Sequence, residues 1–205
     1  MNDDPEDETA GDCYSDGERA WMVRGQLLRA RLLAPLLRLL EFLRITPDHL
    51  TFLSLIAGLA FCPLFFRSPA AAFLALLLHV LLDGLDGPLA RHLGIASRRG
   101  SFTDTMADQL VVTATTITLM KAGEIGITAG GVYIFVYGIV VAFAMVRNAL
   151  AIPYSWLIRP RFVIYLWMPV EVWWWPGTIE IGLWIASSFL AAKMFSGFVR
   201  IRGAL

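Results

Sequence analysis

Residues 69–93 read PAAAFLALLLHVLLDGLDGPLARHL, and this stretch decides the fold. It starts as an apolar run long enough to supply the ~20 helical residues that cross a bilayer core of ~30 Å. It ends with Asp83, Asp86 and Arg91, and charged residues inside a membrane helix are costly and usually functional. We therefore expect lipid to surround most of the chain, and we expect the end of this helix to carry chemistry.

The composition and the apolar runs indicate a membrane protein. Of the 205 residues, 57% are hydrophobic and 17% are charged, and the mean hydropathy is +0.63. A soluble domain of this size needs a more polar surface toward water. We predict an all-α, polytopic membrane protein with six transmembrane helices and an N-terminal cytoplasmic amphipathic helix. The predicted spans are roughly 48–66, 69–93, 102–121, 127–149, 155–174 and 177–200.

The distribution of basic residues predicts the orientation of these spans. With both termini on one side, that side holds fifteen Lys and Arg residues, and the other side holds only Arg67 and Lys121. Basic flanks stay in the cytoplasm, so we expect both termini there and the protein in the inner (plasma) membrane. The outer loop 170–180 reads VEVWWWPGTIE and resembles an interfacial aromatic belt, and we expect its Glu171 and Glu180 to face water.

Three segments follow from the charge pattern. Residues 1–18 hold eight of the 17 acidic residues and no Lys or Arg, which predicts a disordered acidic tail. Residues 19–45 mix six arginines with leucines, which is typical of a juxtamembrane amphipathic helix at the lipid headgroups. Residues 46–205 form the predicted six-helix transmembrane catalytic domain. Membrane lipid is therefore an expected partner, and no nucleic acid is expected.

Four aspartates are the candidate chemical residues. Asp83 and Asp86 are three residues apart and Asp104 and Asp108 are four apart, so each pair lies on one helix face. Their spans are consecutive and antiparallel, which allows the two faces to oppose each other. Four close carboxylates need compensating cations, and an all-oxygen site suits Mg²⁺, with Mn²⁺ as a second candidate. We predict two such ions, which could clamp both sides of a displacement at phosphorus.

An alternative is that these aspartates form structural ion pairs with nearby arginines, namely Arg91, Arg98 and Arg99. We favour the metal site because ion pairing does not explain the adjacent Gly84, Gly87 and Pro88. Proline lacks an N–H and opens a helix, while glycine lets a ligand approach the backbone. In lipid, irregular backbone is tolerated only where it lines a cavity or meets a ligand.

The residues around the aspartates form a recognisable pattern. The segment 83–108 matches D-x-x-D-G-x-x-A-R-x8-G-x3-D-x3-D without a gap. It resembles the signature of the CDP-alcohol phosphatidyltransferase family, and the likeness extends over nearly the whole chain after residue 18. The resemblance implies transfer of a phosphatidyl group from CDP-diacylglycerol to a small alcohol, with release of CMP.

The resemblance also implies roles for individual residues. Asp83, Asp86 and Asp104 would hold one metal, and Asp83, Asp104 and Asp108 the other. Asp108 would also be the catalytic general base. Further residues are implied by the signature and by the segment 46–51, TPDHLT, which resembles the family's T-P-N-x-L-T with Asp48 in place of the usual Asn. The implied substrate-binding residues are Thr46, Pro47, Asp48, His49, Gly87, Ala90, Arg91, Ser97 and Gly100.

The acceptor alcohol is less well defined by the sequence. Arg147 ends the fourth span and is our candidate for binding an acceptor phosphate. Arg159 and Arg161 could do the same, but we favour an ordinary role as basic flanks. Relatives that use glycerol 3-phosphate carry an acidic residue where this chain has Asn148, and D-P-x-A-D-K where it has DTMADQ at 104–109. Glycerol 3-phosphate is retained as the first candidate, with inositol phosphate, inositol or another alcohol such as serine as alternatives.

Two functions of other classes remain open. A divalent-cation transporter could use the same carboxylates, but it would need polar residues across the whole bilayer. An inert membrane scaffold would not need the intact signature. A homodimer is an expectation from the resemblance, and Gly130, Gly131 and Gly138 would permit close helix contact.

Overall fold

The computed structural model describes residues 32–150 and 160–204. Within these residues the protein has seven helices and no strand, which confirms the all-α prediction. The predicted tail at 1–18 and the first part of the predicted amphipathic helix, 19–31, lie outside the described residues. The helices are α1 (32–42), α2 (Pro47–Phe65), α3 (Pro69–His92), α4 (Arg98–Ala122), α5 (Ile127–Ala149), α6 (Pro160–Trp173) and α7 (Thr178–Arg202).

Four of the described helices, α2, α3, α5 and α7, are long and apolar enough to cross a membrane. Helix α4 has 25 residues but carries charged residues at Arg98, Arg99, Asp104 and Asp108, which lower its hydropathy. The described part of α6 has 14 residues, and the start of the predicted fifth span lies outside the described residues. The protein is thus an all-α integral membrane protein.

Local sequence signals set the ends of the helices near the site. The Thr46 hydroxyl accepts a hydrogen bond from the His49 N–H, and His49 Nδ1 accepts one from the Thr46 N–H, which forms a capping box at the start of α2. Ser97 caps α4 by accepting from the Gly100 N–H at 3.1 Å. Helix α4 ends at Gly123, whose φ of 80° is in the left-handed region that favours glycine.

Helix α2 packs against both α3 and α4. A Cβ on Gly58 of α2 would lie 2.5 Å from a methyl of Val111 on α4, so glycine allows these two helices to approach closely. Phe61 of α2 contacts Phe73 of α3, with ring centroids 5.9 Å apart. Helix α5 packs against α4 and α7 on the other side of the bundle. Because α3 and α4 are antiparallel neighbours in sequence, the end of α3 and the start of α4 meet at one end of the bundle.

Helix α1 packs against the same end of the bundle. Its Leu37 and Leu40 are buried in a cluster with Leu50 of α2 and Leu89 of α3. The chain then turns at Arg44, which has a positive φ of 55°. This packing brings the segment before the first membrane helix next to the aspartates.

The opposite end of the bundle contains a buried carboxylate. Glu171 is only 2% exposed, so the expectation that it faces water is wrong. It accepts hydrogen bonds from the N–H groups of Gly177 and Ile179, the latter at 2.8 Å. These donors belong to the start of α7, where backbone N–H groups have no partner within the helix. Glu171 therefore caps α7 and joins it to α6.

Candidate functional site

Three carboxylates from α3 and α4 lie together. Asp83, Asp104 and Asp108 each offer an oxygen, and these oxygens lie within 4.8 Å of one another. Asp83 and Asp108 are buried and Asp104 is half-buried. The sequence spacing predicts that these aspartates lie on helix surfaces that face each other, and this placement brings their oxygens together. Ionised carboxylates at such distances repel, so the cluster needs positive charge.

Asp86 lies at the edge of this cluster and is held by α2. The Thr51 hydroxyl donates to Asp86 Oδ2 at 2.9 Å, and the Gly87 N–H donates to Oδ1. The Asp104 carboxyl is within hydrogen-bonding reach of both Asp83 and Asp86. All four aspartates therefore belong to one group, and Thr51 is a supporting residue that the sequence analysis did not identify.

An arginine from α6 enters the cluster. Arg161 donates from Nη2 to Asp83 Oδ2 at 2.9 Å, and its Nη1 pairs with Asp108 Oδ2. The residue is 1% exposed, so its interpretation as an ordinary basic flank is wrong. Arg161 shares a helix face with the buried Ile164 and Tyr165, three and four residues later. This periodicity was the sequence signal that could have identified Arg161.

The alternative ion pairs do not form in the described part of the chain. There, Asp83 and Asp108 pair with Arg161, and none of Arg91, Arg98 and Arg99 forms an ion pair with an aspartate. Four carboxylates thus face one guanidinium group. The charge on the aspartates exceeds the positive charge that the described residues place among them.

The donor set fits a divalent cation. All four side chains offer oxygen, which Mg²⁺ and Mn²⁺ prefer. Asp108 Oδ1 is buried and has no hydrogen-bond partner within the described residues. Such an atom is costly unless a ligand satisfies it. Asp83, Asp104 and Asp108 could hold an ion directly, and Asp86 is placed to join them.

A cavity of about 1430 Å³ opens beside the aspartates. Asp83, Asp86 and Asp104 line its polar end. Eight of the nine substrate-binding candidates in the signature and the 46–51 segment also line it: Thr46, Pro47, Asp48, Gly87, Ala90, Arg91, Ser97 and Gly100. The folded chain therefore brings together residues that are up to 54 positions apart in the sequence.

Backbone geometry shapes this polar end. The Arg91 side chain lies across Gly87, since a Cβ there would be 3.5 Å from Arg91 Nη1. A Cβ on Gly100 would be 3.3 Å from Ser97 Oγ, so glycine leaves room for the helix cap. The Ser97 hydroxyl accepts the cap hydrogen bond and keeps its own hydrogen for donation. Small residues thus keep the start of α4 open beside the aspartates.

Three predicted site residues do not line the cavity. His49 faces Thr46 in the capping box. Arg147 is buried in the last turn of α5. Asp108 lies deeper than Asp104, where it pairs with Arg161. Of the predicted substrate-binding residues, His49 and Arg147 therefore lie away from the cavity, and the other eight line it.

The rest of the cavity is apolar and runs between α3 and α6. Ala70 and Asp86 of α3 both line it, and sixteen residues of helix correspond to about 24 Å. Phe162 lines it near the aspartates, and Phe73 and Trp173 line it at the far end, with ring centroids 5.2 Å apart. The cavity therefore has one charged end and a long apolar arm.

Comparison with known proteins gives a family match over most of the chain. A sequence profile described as CDP-alcohol phosphatidyltransferase matches residues 44–198. The chain is 34% identical over 111 residues to CDP-diacylglycerol--serine O-phosphatidyltransferase of Mycobacterium leprae, which is 53% of this chain and 37% of that protein. It is 34% identical over 114 residues to archaetidylinositol phosphate synthase of Aeropyrum pernix, 54% of this chain and 52% of that protein. The chain thus spans about half the length, or less, of these curated relatives.

Two crystal structures of the Mycobacterium tuberculosis phosphatidylinositol phosphate synthase have the same fold. The one with CDP-DAG bound has a TM-score of 0.70 and 21% identity, and covers 83% of this chain and 94% of that chain. The one in complex with manganese and citrate has a TM-score of 0.69 and 20% identity, and the match covers 83% of this chain and 90% of that chain. At this identity the likeness concerns the fold.

Proposed function

The chain belongs to the CDP-alcohol phosphatidyltransferase family, and from this membership we propose that it transfers the phosphatidyl group of CDP-diacylglycerol to a small alcohol and releases CMP. The observation that carries the proposal is a cluster of carboxylates, with oxygens within 4.8 Å, beside a cavity with one charged end and one apolar arm. CDP-diacylglycerol has the same division, since a nucleotide diphosphate is joined to two acyl chains. The fold neighbour with CDP-DAG bound supports the assignment.

We assign two divalent cations to Asp83, Asp86, Asp104 and Asp108, with Mg²⁺ first and Mn²⁺ as the alternative. The oxygen donors and the unpartnered Asp108 Oδ1 support this, as does the manganese in the second fold neighbour. When bound, such ions neutralise a diphosphate and stabilise negative charge on a departing phosphate. The number of ions follows from the family resemblance and is part of the proposal.

The nucleotide end of the substrate is assigned to the polar end of the cavity. Arg91 lies across Gly87 and would donate to the diphosphate, which a guanidinium group can bind through two parallel hydrogen bonds. The free hydrogen of Ser97 would donate to the same group. Asp48 would accept from the cytidine, in place of the usual Asn amide. The remaining nucleotide-binding candidates are Thr46, Pro47, Ala90 and Gly100.

Asp108 is assigned as the general base. Its Oδ1 has no hydrogen-bond partner within the described residues and would take the proton of the acceptor hydroxyl. The acceptor oxygen then bonds to the phosphorus that carries diacylglycerol, and the bond from that phosphorus to the CMP oxygen breaks. The displaced oxygen carries its electron pair away on CMP, beside Arg91.

The apolar arm is assigned to the acyl chains. Helices α3 and α6 expose Leu74, Leu77 and Leu166 toward the surrounding lipid. A groove of about 24 Å open to lipid allows acyl chains to stay in an apolar environment while the diphosphate reaches the aspartates. Phe73 and Trp173 would contact the ends of the chains.

For the acceptor, we propose an alcohol that carries a phosphate. Arg147 is buried in the last turn of α5 and is our candidate for binding this group. Glycerol 3-phosphate is the first candidate. Inositol phosphate is supported by the names of the fold neighbours and of the Aeropyrum pernix relative, and serine by the name of the Mycobacterium leprae relative.

The proposed topology has six spans, with both termini in the cytoplasm and the protein in the inner (plasma) membrane. The succession of six helices, α2 to α7, and the predicted fifteen-to-two distribution of basic residues support it. In this topology α1 is the end of a headgroup-level amphipathic helix, and residues 1–18 form a cytoplasmic acidic tail. A homodimer is part of the same proposal.

One assay tests the reaction and its competitors. Purified protein receives labelled CDP-diacylglycerol, Mg²⁺ and, in separate reactions, glycerol 3-phosphate, inositol phosphate, inositol and serine, and CMP is measured. We expect CMP release with one of the four alcohols, and no CMP release in a parallel reaction that contains EDTA. Mg²⁺ flux into liposomes in the absence of CDP-diacylglycerol would favour the transporter, and a lack of turnover with every acceptor would favour the scaffold.

A further inference from the structure

We propose that Arg161 is an internal counter-ion for Asp83 and Asp108 and is displaced from them when a divalent cation binds. This inference rests on the metal site of the proposed function. It adds a residue outside the family signature, and it predicts that metal loading and the position of α6 are linked.

The guanidinium group of Arg161 lies between two carboxylates. Arg161 contacts Oδ2 of both Asp83 and Asp108, the former at 2.9 Å, and these two carboxylates come from different helices. Oxygens of both carboxylates belong to the group within 4.8 Å that could hold an ion. Arg161 therefore contacts two of the three carboxylates that an ion would need.

The positive charge of Arg161 is buried. Arg161 is 1% exposed, so its charge must be compensated by partners rather than by water. Removing one partner of a buried ion pair is strongly destabilising because it leaves an uncompensated charge. A divalent cation and a guanidinium group beside the same two carboxylates repel each other in this poorly solvated site. The two cations therefore compete for Asp83 and Asp108.

The cavity beside Phe162 offers a place for the displaced Arg161 side chain. The Arg161 guanidinium lies 4.7 Å from the centre of the Phe162 ring, and Phe162 lines the cavity. Arg161 Nε has no hydrogen-bond partner within the described residues. Movement along the Phe162 ring would carry the guanidinium from the aspartates into the polar end of the cavity. Metal binding would thus shift the first turn of α6.

Arg161→Gln tests this exchange without any substrate. In EDTA we expect the melting temperature of the variant in detergent to fall by about 6 °C or more, because Asp83 and Asp108 lose their counter-ion. Saturating Mn²⁺ should return the variant to the wild-type melting temperature in Mn²⁺. Mn²⁺ binding, followed by electron paramagnetic resonance, should be at least about tenfold tighter in the variant. A merely structural Arg161 would instead lower stability equally with and without Mn²⁺.

Matched variants complete the test. Arg91→Gln removes a guanidinium group that lines the cavity but breaks no ion pair with an aspartate, so Mn²⁺ affinity should change less than about threefold. Arg161→Lys should keep most of the stability in EDTA. Should Arg161→Gln not fold, the double variant Arg161→Gln/Asp108→Asn takes its place and should fold in EDTA, because one negative charge leaves with the arginine.

The outcomes separate this inference from the proposed function. Wild-type protein that binds no Mn²⁺ would overturn both the metal site and the exchange. Saturable Mn²⁺ binding by the wild type, with unchanged affinity in Arg161→Gln, would overturn the exchange alone. A double variant as unstable in EDTA as the single one would also overturn it.

Discussion

Thr51, the last residue of the 46–51 segment, is predicted to hold the aspartate cluster together. Its hydroxyl donates to Asp86 Oδ2 at 2.9 Å and also lies 3.2 Å from the Pro47 carbonyl of its own helix. Thr51→Val keeps the shape of the side chain and removes the donor. A hydrogen bond to a charged group contributes about 1.5–3 kcal/mol, and Asp86 is buried, so we expect a loss of this size in the free energy of unfolding.

A second threonine provides the control. Thr116 is buried like Thr51, but its hydroxyl bonds to the Val112 carbonyl of its own helix at 2.7 Å. Thr116→Val removes a bond to a carbonyl of the same helix, so we expect a smaller loss of stability than in Thr51→Val. Both variants have the same change in volume and polarity, which leaves the bond to Asp86 as the difference between them.

The assay is equilibrium unfolding in mixed micelles in EDTA, together with CMP release in saturating Mg²⁺. Thr51→Val should lower stability and also slow CMP release, because Asp86 is free to turn away from the site. Equal stability of the two threonine variants would refute the reasoning, as would loss of stability in Thr51→Val with normal CMP release in the same assay.

Four further predictions address other contacts. Arg91→Gln should raise the KM for CDP-diacylglycerol about 10- to 100-fold with little change in melting temperature, measured by CMP release; an unchanged KM would remove Arg91 from the site. Gly58→Ala should lower the melting temperature, because its Cβ would lie 2.5 Å from a Val111 methyl, whereas Gly131→Ala meets nothing within 4 Å and should not. Glu171→Gln should cost about 1–2 kcal/mol of unfolding free energy through weaker capping of α7, without changing the KM. Trp173→Ala should shift the acyl-chain preference toward longer chains at an unchanged Mg²⁺ requirement, measured with CDP-diacylglycerols of different lengths.

The sequence predicted the helices and the aspartates well, because both depend on local pattern. The start of α3 at Pro69 and the position of α5 agree with the predicted spans to within a residue or two. The i, i+3 and i, i+4 spacings placed Asp83 and Asp108 on surfaces that face each other in the structure. Such features follow from apolar run length and helical periodicity alone.

The residues that sequence analysis misassigned depend on which side of a helix faces the bundle. Arg161 and Glu171 both lie near the ends of α6, where charged residues are usually exposed. Both are buried because α6 directs them inward. His49 lies at the unspecified position of the 46–51 segment, and its ring accepts a hydrogen bond in the capping box. Partners more than 70 positions away, such as Asp83 for Arg161, cannot be derived from spacing, since packing alone brings them together.

The most direct test of the account is CMP release by purified protein after removal of metal. With CDP-diacylglycerol and its alcohol, wild-type protein should release no CMP in EDTA and should recover on addition of Mg²⁺. Asp108→Asn in Mg²⁺ should lose about 100- to 10,000-fold in rate, because the acceptor hydroxyl has no base, and its melting temperature checks that the fold persists. CMP release at the wild-type rate in EDTA, or by Asp108→Asn in Mg²⁺, would contradict a carboxylate cluster that binds metal and takes the proton.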